Sequence, residues 1–126
     1  NLIAKKYVNT LPDEFPPESF AADIIIDPSG AFLYVSNRGH DSISIFRISE
    51  RDGQLKFIKC ISSEGKYPWS LNMDIHGNYL IVANQHSNNV VILKRNLSTG
   101  LLTKYAELKD VISPVSAKFL CKQTTA

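Results

Sequence analysis

Residues 21–46 read AADIIIDPSGAFLYVSNRGHDSISIF. An apolar run meets the turn Asp27-Pro28-Ser29-Gly30, and a second apolar run ends in Ser36-Asn37-Arg38. A polar loop then leads to a third run, Ser42 to Ile48. Short β-rich runs joined by Gly, Pro, Asn and Asp describe an antiparallel meander. The pattern returns 47 positions later without a gap: Asp27 with Asp74, Gly30 with Gly77, Leu33 with Leu80, Val35 with Val82, Asn37 with Asn84, Ile45 with Ile92 and Gly53 with Gly100. A fixed period of about 40–50 residues carrying four strands is the signature of a β-propeller blade.

Working outward, Leu55–Ile61 and Leu101–Leu108 follow Gly53 and Gly100, and Leu2–Leu11 resembles both. These read as outermost strands, the later two entered through glycine turns where a positive φ carries no steric cost. Ala21–Ile26, Trp69–Met73 and Val115–Leu120 read as innermost strands, and Phe32–Asn37 and Tyr79–Asn84 as second strands. The second strands are apolar at nearly every position, as expected where neighbouring blades cover both faces. The expected architecture is all-β, built of four-stranded antiparallel propeller blades. Residues 1–20 would be an outer strand and link, 21–64 a blade, 65–110 a second blade, and 111–126 the inner strand of a closing blade. A closed ring needs at least about four blades, whereas 126 residues hold fewer than three such repeats. The chain opens on Asn1 and reads as a piece of a longer propeller, its open faces covered by remaining blades or by self-association.

Formal net charge is +2 and the longest basic run is Lys5-Lys6, which argues against a nucleic-acid surface. No run of about 18 apolar residues signals a membrane-spanning helix. Cys60 and Cys121 lie in strand-like runs without CxxC spacing and are expected to be buried reduced thiols, which points to the cytoplasm. Ser36 lacks a GxSxG elbow, and His40, His76 and His86 lack the spacing of a zinc site, so no metal is expected. A Ca²⁺ site from Asp23, Asp27 and asparagines has little support.

Strand direction locates a candidate site. In a blade whose strands alternate down and up, the loops after Asn37 and Asn84 share a rim with the links Pro17-Glu18-Ser19 and Gly65-Lys66-Tyr67-Pro68-Trp69. Ligands of ring folds bind where such loops surround the channel. Arg38 becomes Gln85 in the next repeat, so the fold does not require it; it is either an anion-binding residue or a solvated or interblade-paired arginine. His40 is a candidate base, and Gln85, His86, Asn37 and Trp69 are candidate substrate contacts. Asn37 and Asn84 recur and also read as loop braces bonded to the backbone. Trp69 walls a pocket or packs a core. Asp23 reads as a structural carboxylate, with catalysis as its alternative, and His76 falls on the opposite rim.

The run Asp27-Pro28-Ser29-Gly30 followed by Phe32-Leu33-Tyr34-Val35-Ser36-Asn37-Arg38-Gly39-His40-Asp41-Ser42-Ile43 resembles the propeller-type 6-phosphogluconolactonase family, which includes related carboxymuconate-lactonizing enzymes. Gly77-Asn78-Tyr79-Leu80-Ile81-Val82-Ala83-Asn84-Gln85 and Pro114-Val115-Ser116-Ala117-Lys118-Phe119 extend the likeness over nearly the whole chain. It implies the C-terminal part of a seven-bladed propeller and cofactor-free hydrolysis of an anionic sugar-acid lactone, 6-phosphogluconolactone, in the pentose phosphate route. Arg38, His40 and Gln85 are the family-like residues; Ile25 and Trp69 stand where the family usually carries His and Arg. Those two replacements favour the alternative of a binding module without turnover.

Overall fold

Regular structure among the described residues consists of two meanders, each a four-stranded antiparallel sheet. The computed structural model describes residues 2–4, 6–11 and 18–121. The first sheet is β1 (Phe20–Ile26), β2 (Phe32–Arg38), β3 (Ser42–Ile48) and β4 (Leu55–Ser62); the second is β5 (Pro68–Met73), β6 (Tyr79–Asn84), β7 (Asn89–Arg95) and β8 (Leu102–Leu108). In each sheet the strands neighbour one another in chain order. Even the irregularities repeat: the inner pair is bulged at Ala21/Ile24 and Pro68/Ser70, and the outer pair at Ile45/Phe46 and Ile92/Leu93. No helix among the described residues is long and apolar enough to cross a membrane.

The period-2 alternation of β2 divides its side chains between two environments. Phe32 and Tyr34 join Ile43 and Ile45 in a core shared with Leu71, Leu80, Val82, Val91, Leu93 and Leu102 of the second sheet. Leu33 and Val35 turn the other way and pack with Phe46, Ile48 and Leu55. The shared core therefore welds the blades. Each large side chain buried in it contributes roughly 1.5–3 kcal/mol.

A polar cluster is embedded in that weld. Asp27, at the β1–β2 turn, accepts from the Ser29 hydroxyl (2.6 Å) and from the N–H groups of Ala31 and Phe32 (2.9 Å each). Its other partner comes from β7: Arg95 Nη2 lies 3.1 Å from Asp27 Oδ2, with both side chains almost wholly buried. Arg95 Nε donates to Gly77 O (2.6 Å) and Nη1 to the Tyr34 hydroxyl (3.5 Å), while that hydroxyl donates to Gly100 O (2.7 Å). Burial opposes ionisation of Asp27, yet the Ser29 hydroxyl, the Phe32 amide and Arg95 together hold its carboxyl below the ordinary value. Burial raises the Tyr34 phenol, which stays a neutral donor.

The flanking segments differ from expectation. Neither residues 6–11 nor residues 109–121 form a strand. Thr10 Oγ1 donates to Asn37 Oδ1 (2.8 Å) and Thr10 O accepts from the Ser44 hydroxyl, so this segment meets the first sheet through side chains. Asn72 Nδ2 donates to Ala117 O (2.7 Å), tying the last segment to β5. A strand needs a backbone ladder with a neighbour, and neither segment has one among the described residues. Cys121 is consequently exposed, while Cys60 within β4 is half-buried; both are free thiols, which corrects the expectation of two buried ones. The loop at residues 12–17 and residues 122–126 lie outside the described residues.

Because Asp27 has a depressed folded-state pKa, its contribution to stability is complete above the unfolded value of about 3.9 and is lost as pH falls through the folded value. Asp27→Asn in the full-length protein is expected to cost about 3–5 kcal/mol at pH 7, since Arg95 is left buried without its partner. Between about pH 5 and 2, urea midpoints should fall less steeply for the variant than for wild type. The glycines give a second test. Both Gly30 and Gly100 have φ +75, but a Cβ at Gly30 meets nothing within 4 Å, whereas at Gly100 it would lie 2.4 Å from the Phe32 ring. Gly30→Ala should cost about 1–2 kcal/mol from backbone strain alone. Gly100→Ala should cost clearly more, as read from the same melts.

Candidate functional site

The inner-strand bulges decide which side chains reach the rim between the two blades. An extra residue in a strand bends it and re-aims a side chain. Trp69 sits in the bulge of β5 between Pro68 and Ser70, and it is partly exposed. Arg38, the last residue of β2, pairs with Phe20 at the start of β1. Its guanidinium carbon lies 4.8 Å from the centroid of the Trp69 ring and 5.5 Å from that of Tyr67. Tyr67 stacks on His86 with centroids 4.0 Å apart and planes 8° from parallel. The order Trp69, Arg38, Tyr67, His86 thus forms one cationic-aromatic cluster drawn from both blades.

Residues of the link and the β6–β7 loop hold this cluster through the backbone. Gln85 N donates to Tyr67 O (3.0 Å) and His86 N to Lys66 O (3.1 Å). Asp41 Oδ1 accepts from Tyr67 N (2.7 Å), so the first blade's β2–β3 loop clamps the link that follows its own β4. The expected sharing of a rim by the loops after Asn37 and Asn84 and by Trp69 holds.

A guanidinium lying on aromatic faces keeps its N–H edge available to a carboxylate or phosphate. Among the described residues Arg38 makes one long bond, Nη2 to Ala21 O at 3.5 Å, and its buried Nε has no hydrogen-bond partner. Such a group can receive an anion, or the oxyanion of a carbonyl under attack.

Other expected site residues stand elsewhere. The ring of His40 engages its own blade: its Nδ1 lies 2.6 Å from Ser42 Oγ and 3.8 Å from Cys60 Sγ, beside β3 and β4. Asn37 is fully buried, and its Nδ2 donates to the hydroxyls of Ser42 (3.1 Å) and Ser44 (2.9 Å). It is a brace rather than a ligand contact, bonded to hydroxyls and not to the backbone as expected, because the outward-alternating face of β2 carries it beneath Thr10. Asn84 braces through Nδ2 to Ser63 O (2.9 Å). Asp23 occupies the bulge of β1; its Oδ2 accepts from Leu71 N of the next blade (2.8 Å), a structural strut. Tyr67 and Asp41 went unrecognised in the sequence reading. The signal was present in the pairing of Asp41 with Asn88, and in an aromatic before Pro68 where the next repeat has Ser113 before Pro114.

Residues 1–119 match the family model described as Lactonase, 7-bladed beta-propeller. The chain belongs to the seven-bladed β-propeller lactonase family. It is 36% identical over 113 residues to the 6-phosphogluconolactonase of Bacillus subtilis, covering 90% of this chain and 32% of that protein. To the 6-phosphogluconolactonase of Formosa agariphila it is 49% identical over 86 residues, 67% of this chain and 24% of that one. Among solved structures, the periplasmic gluconolactonase of Pseudomonas aeruginosa superposes with a TM-score of 0.78 at 29% identity, over 84% of this chain and 30% of the other. The chain thus spans a third or less of the length of these lactonases, and the two sheets are two blades of the ring.

Asp23→Ala in the full-length protein is expected to lower stability by about 1.5–3 kcal/mol through loss of a charged interblade hydrogen bond. Ligand affinity measured on the folded variant should stay at the wild-type level, which separates the strut from the cluster around Arg38.

Proposed function

We propose that the full-length protein hydrolyses an anionic sugar-acid lactone, with 6-phosphogluconolactone as substrate and 6-phosphogluconate as product. The observation that carries the reading is the guanidinium of Arg38, laid over Trp69 and Tyr67 on the rim of a lactonase-family propeller. The names of the relatives from Bacillus subtilis and Formosa agariphila support this substrate class.

In this reaction water attacks the lactone carbonyl, negative charge develops on the carbonyl oxygen, and the ring C–O bond breaks to leave a carboxylate and an alcohol. A preorganised cation is worth most where that charge develops or where the substrate's own anionic group must be held. Arg38 is assigned that role. Trp69 and His86 wall the approach, and Gln85 lines it from the repeat position equivalent to Arg38. A base must take the proton of the attacking water. His40 is engaged with Ser42 beside Cys60, and the proton is not routed through it.

Arg38→Gln tests the assignment, since glutamine is the residue the next blade carries there. Loss of its aromatic stacking should cost no more than about 1 kcal/mol of stability. Turnover of 6-phosphogluconolactone or calorimetric affinity for 6-phosphogluconate should weaken by about 1.5–3 kcal/mol, the scale of a hydrogen bond to a charged group. Unchanged kinetics and affinity would remove Arg38 from the site. Retained binding in a wild-type protein that shows no turnover would favour a sugar-acid binding module, a reading to which the aromatic Trp69 on the rim also lends itself.

A further inference from the structure

Tyr67 has a backbone conformation that its side chain opposes. Its φ is +63, and it precedes Pro68. Positive φ is uncommon for a bulky residue, and a residue before proline is ordinarily held in extended, negative-φ conformations. Asp41 Oδ1 on its N–H and Gln85 N on its carbonyl keep it there.

The next repeat contains the same latch. Ser113 precedes Pro114, has φ +46, and donates its N–H to Asn88 Oδ1 (2.9 Å). The latch therefore belongs to the blade-to-blade connection, and a serine satisfies it. The aromatic ring at Tyr67 does something the connection does not need.

What the ring touches gives its role. One side stacks on His86 at 4.0 Å, and the Arg38 guanidinium carbon lies 5.5 Å from its centroid. Trp69 is tilted beside it with ring centroids 6.1 Å apart. Among the described residues, the 3.5 Å bond to Ala21 O is the one hydrogen bond that restrains the long side chain of Arg38. Aromatic faces supply the remaining restraint, and they do so without consuming N–H donors.

We propose that Tyr67 is a positioning residue for Arg38: its ring, backed by His86, fixes the plane of the guanidinium so that the N–H edge meets the anionic group of the ligand. This rests on the reading that Arg38 holds that group. A preorganised cation loses less conformational freedom on binding than one that must be ordered by the ligand.

The test uses the full-length protein, calorimetric binding of 6-phosphogluconate and turnover of 6-phosphogluconolactone. Glycine adopts φ +63 without strain, so Tyr67→Gly keeps the latch while deleting the ring. Affinity should fall roughly three- to tenfold, the span of an exposed to partly buried cation–π contact. Tyr67→Phe should bind as wild type. In an Arg38→Gln background, Tyr67→Gly should cause no further loss, whereas a merely structural residue would add its effect to that of Arg38→Gln. Wild-type affinity in Tyr67→Gly overturns the inference, as does a loss in Tyr67→Phe equal to that in Tyr67→Gly. If Arg38→Gln itself binds normally, the assignment of Arg38 falls and this inference with it. If Arg38→Gln loses affinity and Tyr67→Gly does not, only the role of Tyr67 falls.

Discussion

The buried pair between Arg95 and Asp27 is the constraint on which the relation of the two blades depends. Asp27 organises the turn that launches β2, and Arg95 ends β7. Their 3.1 Å contact links the β1–β2 turn of one blade to the end of β7 in the next. A buried ion pair is not by itself a source of stability, because desolvation offsets much of its attraction. Here the remaining polar atoms are satisfied as well, by Ser29, Ala31, Phe32, Gly77 and Tyr34. The pair therefore specifies one docking of the sheets that apolar packing alone would leave free to slide. Gly100, pressed against the Phe32 ring, sets the distance of approach in the same place.

The opposite rim depends on that docking. Arg38 comes from the first blade and Trp69, Tyr67 and His86 from the second or from its entry link, so a small rotation between blades would separate the guanidinium from its aromatic faces. Two interblade bonds on this side reinforce the geometry: Asp23 to Leu71 N, and Asp41 to Tyr67 N. Stability is concentrated on one rim in a polar cluster buried with apolar neighbours. On the other, half-exposed aromatic and cationic groups stand beside the positive-φ backbone of Tyr67 and Asp41. Strain of this kind, costing about 1–3 kcal/mol per residue, persists where surrounding structure over-determines it.

Each blade contains the same set of backbone solutions, and the functional differences lie in single residues placed upon them. The positive φ at Asp41 and Asn88, the latch at Tyr67 and Ser113, and the glycine turns at Gly53 and Gly100 recur. Arg38 and Gln85 occupy one repeat position, as do Asp23 and Ser70. A ring of such blades can vary its channel lining without altering its scaffold, because the scaffold's hydrogen bonds are made by the recurring residues.

By itself the sequence determined the repeat, seven of the eight strands to within a residue or two, the glycine turns and the shared rim of Arg38 and Trp69. These follow from local chemistry: alternation, turn residues and strand direction are properties of short segments. The Arg38 candidate was legible because a cation replaces a neutral residue at a repeat position. Tertiary structure decided the rest. It turned His40 toward Ser42 and Cys60, buried Asn37 under Thr10, joined Arg95 to Asp27 and made Tyr67 a neighbour of Arg38. Sequence spacing does not carry those choices, since bulges redirect side chains and the partners lie on another blade. It also withheld strand structure from residues 2–11 and 111–121 where described, because a strand exists only beside a neighbour that completes its hydrogen bonds.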